Sequence, residues 1–354
     1  MTTYIRSESP GGKLMKMTEE KFLRMKLDER LLNFTPTMRL FIEDVLQHRS
    51  TATAYEYTKD LSLLLEFTKM TDKTTVVSDD RMCHLSFVHY TDFFQYIKSY
   101  RLSFVSPTGN QLNQTFTNST TGVNRKIATM LRWTKFIEEN NYSSFVVYPD
   151  LALYDDTRPA KTYLMPETIQ TLLQGVSQAR AVTNWQAQQY AEKTKQRDLA
   201  LIVLMLYSGL KVEECLNLTL EDIDLTRHQV FVERNPTREQ QIILPLESQE
   251  YLRDYLKLRT HIELGDSNLL FESLHQGKMH QKTVRLMLKK YSERFNLTTI
   301  ITPQLLRNTC EHQLYLLFDK SNNKVNWAVG RRYNEFKNQM ELQNRWLNLT
   351  YTTD

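Results

Sequence analysis

The stretch LALIVLMLYSGL, residues 199–210, constrains this chain more than any other. It is apolar nearly all the way round a helix, with no polar stripe to turn toward water, so it must run through a core built by other elements. It ends at Gly209, the residue type favoured where a helix closes in a left-handed cap. No apolar run in the sequence approaches the roughly 18 residues needed to cross a bilayer, so no membrane partner is expected. A helix covered on every side requires a sizeable domain, and 354 residues fit two domains better than one. With 24% charged and 41% apolar residues, the composition is that of a soluble globular chain.

Residues 1–17 carry basic side chains with no apolar stretch behind them, which reads as a loose arm rather than a secretory leader, and the expected location is cytoplasmic. From 18 to 140 the apolar positions recur at helical spacing. TEEKFLRMKLDERLLNF and TPTMRLFIEDVLQHRS are two amphipathic helices, Ser50 caps a third, and a fourth spans 119–140. This is a small helical domain. Residues 141–165 lack periodicity and contain Pro149 and Pro159, as a linker would. The second domain, 166–354, opens at Pro166 and is mostly helical, with KVEECLNLTLEDIDL read as one helix and a capped turn. The only convincing strands are HQVFVER (228–234) and QQIILPL (240–246). The expected fold is mainly α with a small antiparallel sheet, in two domains.

Several chemistries are excluded early. Cys83, Cys215 and Cys310 form no CxxC pair and read as buried, reduced thiols. There is no glycine-rich phosphate loop. The eight histidines never fall at metal-ligand spacing, since His84 and His89, or His275 and His280, are five apart and off one helical face. Neither a metal nor a cofactor is expected. A net charge of +4 permits a nucleic-acid partner without requiring one.

The informative feature is an order: apolar helix, YSGLKVEE, acidic turn, two-stranded hairpin, long helix, then TPQLLRNT. From about residue 20 to 340 this resembles the tyrosine recombinases, also called the phage integrase family, and within them the Xer-type recombinases. The resemblance implies a C-shaped clamp, a helical core-binding domain plus a catalytic-type domain, closing on double-stranded DNA. In that family a tyrosine attacks the scissile phosphate, two arginines and a histidine stabilise the charge, and a hairpin lysine protonates the leaving hydroxyl. Carried across residue by residue, the first arginine is here Lys211, with the accompanying carboxylate present as Glu214. Lysine keeps the charge but lacks the planar fork that grips two phosphate oxygens. The hairpin lysine falls near Asn235, between Arg234 and Arg238. The first histidine of the last box is Gln304, and Arg307 stands where the family has its second arginine. Further on, Arg331 replaces a histidine and Met340 replaces the nucleophilic tyrosine. Of the nearby tyrosines, Tyr333 is too close to Arg331, Tyr315 lies inside a helix and Tyr351 comes eleven residues late.

Two basic stripes accompany these boxes: Arg125, Lys126 and Arg132, with Lys135, in the first domain, and Lys282, Arg285, Lys289 and Lys290 in the second. One such stripe is usually a solvated helix face; two in matching domains point to phosphates. Ser50, Thr51, Thr53 and Tyr57 fall where the resemblance places further backbone contacts. The terminal stretch NEFKNQMELQNRWLNL has an apolar face that packs on its own core or docks on a neighbouring subunit. The expected function is double-stranded DNA binding at a recombination-like site without strand cleavage, in a homo-oligomer or in a mixed tetramer with an active recombinase. The alternatives are an active, divergent recombinase and a protein-interaction scaffold that no longer binds DNA.

Overall fold

Serine and threonine caps punctuate the first unit, Met1–Pro159. The computed structural model describes residues 3–5, 15–17, 19–105, 110–143, 154, 160–180, 182, 184–235, 238–261, 268–274, 277–330 and 339–351. Strands β1 (Thr3–Ile5) and β2 (Met15–Met17) pair antiparallel, where the sequence suggested only a loose arm. Helix α1 (Glu19–Leu31) leads to α2 (Pro36–His48), whose first position is a proline with nothing to lose at an unpaired helix start. In α3 (Thr51–Asp72) the Ser50 hydroxyl accepts the Thr53 amide. Helices α4 (Asp79–Cys83) and α5 (Phe87–Tyr96) start the same way at Ser78 and Ser86. A hairpin of β3 (Ser99–Val105) and β4 (Gln111–Thr117) follows, and then α6 (Thr120–Glu139), capped by Ser119.

Phe41, Leu61, Tyr90, Phe93 and Trp133 form the centre of this unit, with the Phe41 ring edge-on to Trp133 at 5.5 Å. One buried carboxylate is set into it. Asp60 on α3 receives both Nη atoms of Arg125 at 2.7 Å, Lys126 at 3.4 Å and the Thr129 hydroxyl at 2.8 Å. A carboxylate removed from water needs this compensation, and it ties α6 to α3.

The second unit, Ala160–Asp354, is built around the long apolar helix. It runs through α7 (Pro166–Ser177), α8 (Trp185–Ser208), α9 (Val212–Asn217) and a short 3-10 turn at Leu220–Asp222. A three-stranded antiparallel sheet comes next, β5 (Ile223–Asp224), β6 (Gln229–Asn235) and β7 (Arg238–Ile243), with Gln229 opposite Ile243. Helices α10 (Leu246–His261), α11 (Gln281–Arg294), α12 (Pro303–Leu317), α13 (Asn322–Ala328) and α14 (Gln339–Leu347) complete it. Every residue from Leu199 to Ser208 is at most 2% exposed, because α7, α10 and α12 pack around α8. Tyr291 of α11 reaches the same helix, donating its hydroxyl to Asp198 at 2.7 Å, while Arg197 donates to that carboxylate and to the Glu272 carbonyl.

The helix and capped turn read across 211–225 are both present: α9 ends at Asn217, and Asp222 then folds back to accept the Thr219 amide at 2.7 Å. The β3–β4 hairpin was unexpected in a unit read as helical. The tail packs on its own unit: Leu342 and Trp346 are buried, the Trp346 indole donates to the Tyr207 carbonyl at 3.1 Å, and Tyr351 donates to the Leu206 carbonyl at 2.8 Å. Among the described residues no helix is long and apolar enough to cross a membrane, and no cluster of side chains could hold a metal ion.

Candidate nucleic-acid interface

Gly209 sets the geometry of the site in the second unit. It closes α8 at φ +62°, and a Cβ there would stand 3.0 Å from Val329 and 3.3 Å from the Cys310 sulfur. The chain can therefore turn tightly against α12 and deliver Lys211 to the start of α9. There the Lys211 amide donates to Glu214 at 2.8 Å, and its Nζ lies 3.6 Å from the other oxygen of the same carboxylate.

Glu214 links the two boxes that the sequence set nearly a hundred residues apart. Its Oε2 is 3.9 Å from Nη1 of Arg307, which is only 4% exposed. Thr302 caps α12 by accepting the Leu305 amide, and Pro303 opens the helix, so Arg307 sits in its second turn facing inward. One turn further, Glu311 accepts the Arg307 Nε at 3.0 Å, and its second oxygen accepts Lys161 Nζ at 3.0 Å. The result is an alternating chain of five charges, Lys161, Glu311, Arg307, Glu214 and Lys211, buried in the middle and exposed at both lysines. Arg307 Nη1 is buried and makes no hydrogen bond among the described residues. Lys161 and Glu311 were not among the residues singled out from the sequence. The i,i+4 spacing of Arg307 and Glu311 on one helix was the available signal.

The remaining positions are not gathered in the same way. Gln304 is exposed on α12 and donates to Asn308 at 2.7 Å. Asn235 and Arg238 pair across the open end of the β6–β7 hairpin, and their side chains and that of Arg234 lie outside the described part of the structure. Arg331 and Tyr333 fall outside the described residues altogether. Met340 is on α14 and 76% exposed. Tyr315 is half-buried against the core. Tyr351 is buried, its hydroxyl is committed to Leu206, and burial pushes its phenol well above the usual range. A cleft of ≈ 650 Å³ opens beside Lys211, but Glu213, Glu214, Asp222 and Glu233 line it with negative charge.

The two basic stripes differ. In the first unit Arg125 and Lys126 are engaged by Asp60, Arg132 donates to Asp44 at 3.2 Å, and Lys135 lies 3.5 Å from Glu139. Arg125 and Lys126 therefore serve the fold first. On α11, Lys282, Arg285, Lys289 and Lys290 are all exposed, with Arg285 donating to Gln281 at 3.0 Å and Lys289 lying 3.6 Å from Glu293, while Val284, Leu288 and Tyr291 turn inward. The Ser50 hydroxyl is within 3.0 Å of Thr53, both at the start of α3.

Comparison with known proteins gives this arrangement a context. Residues 176–316 match the phage integrase family. The tyrosine recombinase XerS of Streptococcus pneumoniae serotype 4 is 32% identical over 171 residues, 47% of this chain and 44% of that protein. The matched region thus spans less than half the length of that relative. Among solved structures, the XerH site-specific recombinase bound to its difH substrate superposes with a TM-score of 0.61 at 15% identity, covering 95% of this chain and 86% of that one. The Tn1549 transposon integrase in complex with circular intermediate DNA gives 0.55 at 15% identity, covering 90% and 97%. At such identities the likeness establishes the fold, that of the tyrosine recombinases.

Proposed function

We propose, for a chain whose residues 176–316 are a phage integrase domain, that the protein binds double-stranded DNA along its phosphate backbone at a recombination-like site and does not itself cut it. The observation that carries this reading is Arg307, at the position the family resemblance gives to its second arginine: it is buried against Glu311 and Glu214 among the described residues. Lys211 keeps a charge, Gln304 cannot shuttle a proton, and Met340 offers no hydroxyl to attack phosphorus. Removing one donor to a developing transition-state charge costs on the order of 10²–10³ in rate. Here several are missing together with the nucleophile. Of the other tyrosines, Tyr351 is buried, hydrogen-bonded and held protonated, the opposite of an activated nucleophile.

Support for DNA as the partner comes from the four exposed cations of α11 and from the DNA complexes in which proteins of similar fold were solved. On DNA the protein works beside other copies of itself or an active recombinase. The test is binding of labelled duplex DNA across a salt series, followed by denaturation in detergent. Affinity that falls steeply with salt and leaves no detergent-resistant adduct is expected. A scaffold without DNA binding would show no salt-dependent complex, and an active recombinase would leave an adduct.

A further inference from the structure

Arg307 already holds an anion. The carboxylate of Glu311 presents one oxygen to Arg307 Nε and the other to Lys161, both at 3.0 Å. A carboxylate and a phosphate diester both offer a guanidinium anionic oxygens, and Glu311 gives Arg307 one of its two. One donor, Nη1, is buried with no hydrogen-bond partner among the described residues, and a Glu214 oxygen lies 3.9 Å from it. A buried guanidinium donor left open is costly unless something completes it. Lys161 is arranged differently: its side chain is 66% exposed, so it remains solvated whichever group Glu311 pairs with. It belongs to a short segment laid along α12, where the Leu164 amide donates to Thr309 at 2.9 Å and the Tyr163 ring stacks on His312 at 3.6 Å.

We propose that Glu311 is an internal counter-anion occupying the place on Arg307 that a DNA phosphate takes, with Lys161 as the partner that keeps Glu311 paired when Arg307 is handed over. The inference rests on the phosphate-binding reading of the site. Glu311 is then a positioning residue that tunes how readily the buried arginine is exchanged, and the charge chain is an ion exchanger rather than a fixed strut. In the DNA-free protein the carboxylate keeps an otherwise uncompensated buried charge in place. On DNA it competes with the backbone, so the resting affinity is held below what the cations alone would give.

The experiment measures binding of a labelled random-sequence duplex by fluorescence anisotropy across a salt series, for the full chain, Glu311→Gln, Arg307→Gln, the double variant and Lys161→Ala. Glu311→Gln is expected to bind about tenfold more tightly, the worth of one charge-assisted contact, with a salt slope steeper by about one phosphate. That gain should vanish in the Arg307→Gln background, which separates release of this arginine from a general change of charge. Lys161→Ala should bind more weakly, because Glu311 then loses the exposed cation that pairs it when Arg307 is handed over. Unchanged or weaker binding by folded Glu311→Gln, or the same gain without Arg307, overturns the proposal. If Glu311→Gln does not fold, as judged by circular dichroism, unchanged affinity in Lys161→Ala overturns it. If the unaltered protein fails to bind even at low salt, the DNA-binding reading falls and takes this inference with it.

Discussion

Trp346 offers the sharpest test of how the second unit closes. Its side chain is 1% exposed, and its indole donates to the Tyr207 carbonyl at 3.1 Å, at the buried end of α8. Truncation in Trp346→Ala removes one of the largest fully buried side chains, a change that costs about 3–5 kcal/mol. It also strips the donor from a buried carbonyl, adding about 1 kcal/mol. A loss of about 4–6 kcal/mol is a large part of the roughly 5–15 kcal/mol typical of a domain. With a urea slope of about 2 kcal/mol per molar, the midpoint should fall by about 2–3 M. The assay is urea denaturation followed by circular dichroism, at several protein concentrations. Because the tail docks on its own unit, the midpoint of the unaltered protein should not move with concentration. A loss below about 1 kcal/mol, or a midpoint that climbs with concentration, would refute the reasoning and place the tail on a neighbouring chain.

Other consequences are equally accessible. Arg307→Met should cost about 3–5 kcal/mol by leaving Glu311 and Glu214 buried with a partner missing, and adding Glu311→Met should recover at least about 2 kcal/mol of it. Simple additivity in a urea double-mutant cycle would contradict the buried coupling. Lys282→Ala with Lys290→Ala should flatten the slope of log affinity against log salt by about 2, since each cation contributes close to one phosphate. An unchanged slope would remove α11 from the interface. His89 is pushed below its usual 6.5 by burial, and its ring hydrogen-bonds Thr68 at 3.0 Å. Its folded pKa is depressed, so the unfolded chain binds the proton first. Stability of the first unit should therefore be complete above about pH 6.5 and fall as the pH drops toward the folded value, by at most about 1.4 kcal/mol per pH unit. Melting curves of His89→Gln should lose that contribution to the slope.

Much of the fold was legible because its strongest signals are local. The run at 199–208 could only be a core helix, and Ser50 and Ser119 cap helices where the sequence placed helix starts. The β3–β4 hairpin was not legible, since only Tyr100, Leu102 and Phe116 among its described side chains turn partly away from water and the alternation is too weak to read. The site was legible in its boxes and obscure in its pairings. Nothing local says that Arg125 belongs to Asp60, which is 65 residues away, so a stripe that looks free in sequence is engaged in space. Glu311 stands four positions after Arg307, at the spacing of a helical ion pair, but the family resemblance assigns no role to that position. Lys161 needed the fold itself, because its segment meets α12 only across 150 residues of chain.

The central claim is binding without cleavage, and one measurement addresses it directly. The DNA bound by the protein is first identified by footprinting across a genome, and that duplex is then made with a nick beside the protected centre, so that any covalent intermediate is trapped. A footprint that dissolves with salt is expected, with no protein left on the DNA after denaturation in detergent. A detergent-resistant adduct, lost on replacing Tyr333, Tyr315 or Tyr351 by phenylalanine, would contradict it and show that the chain cuts.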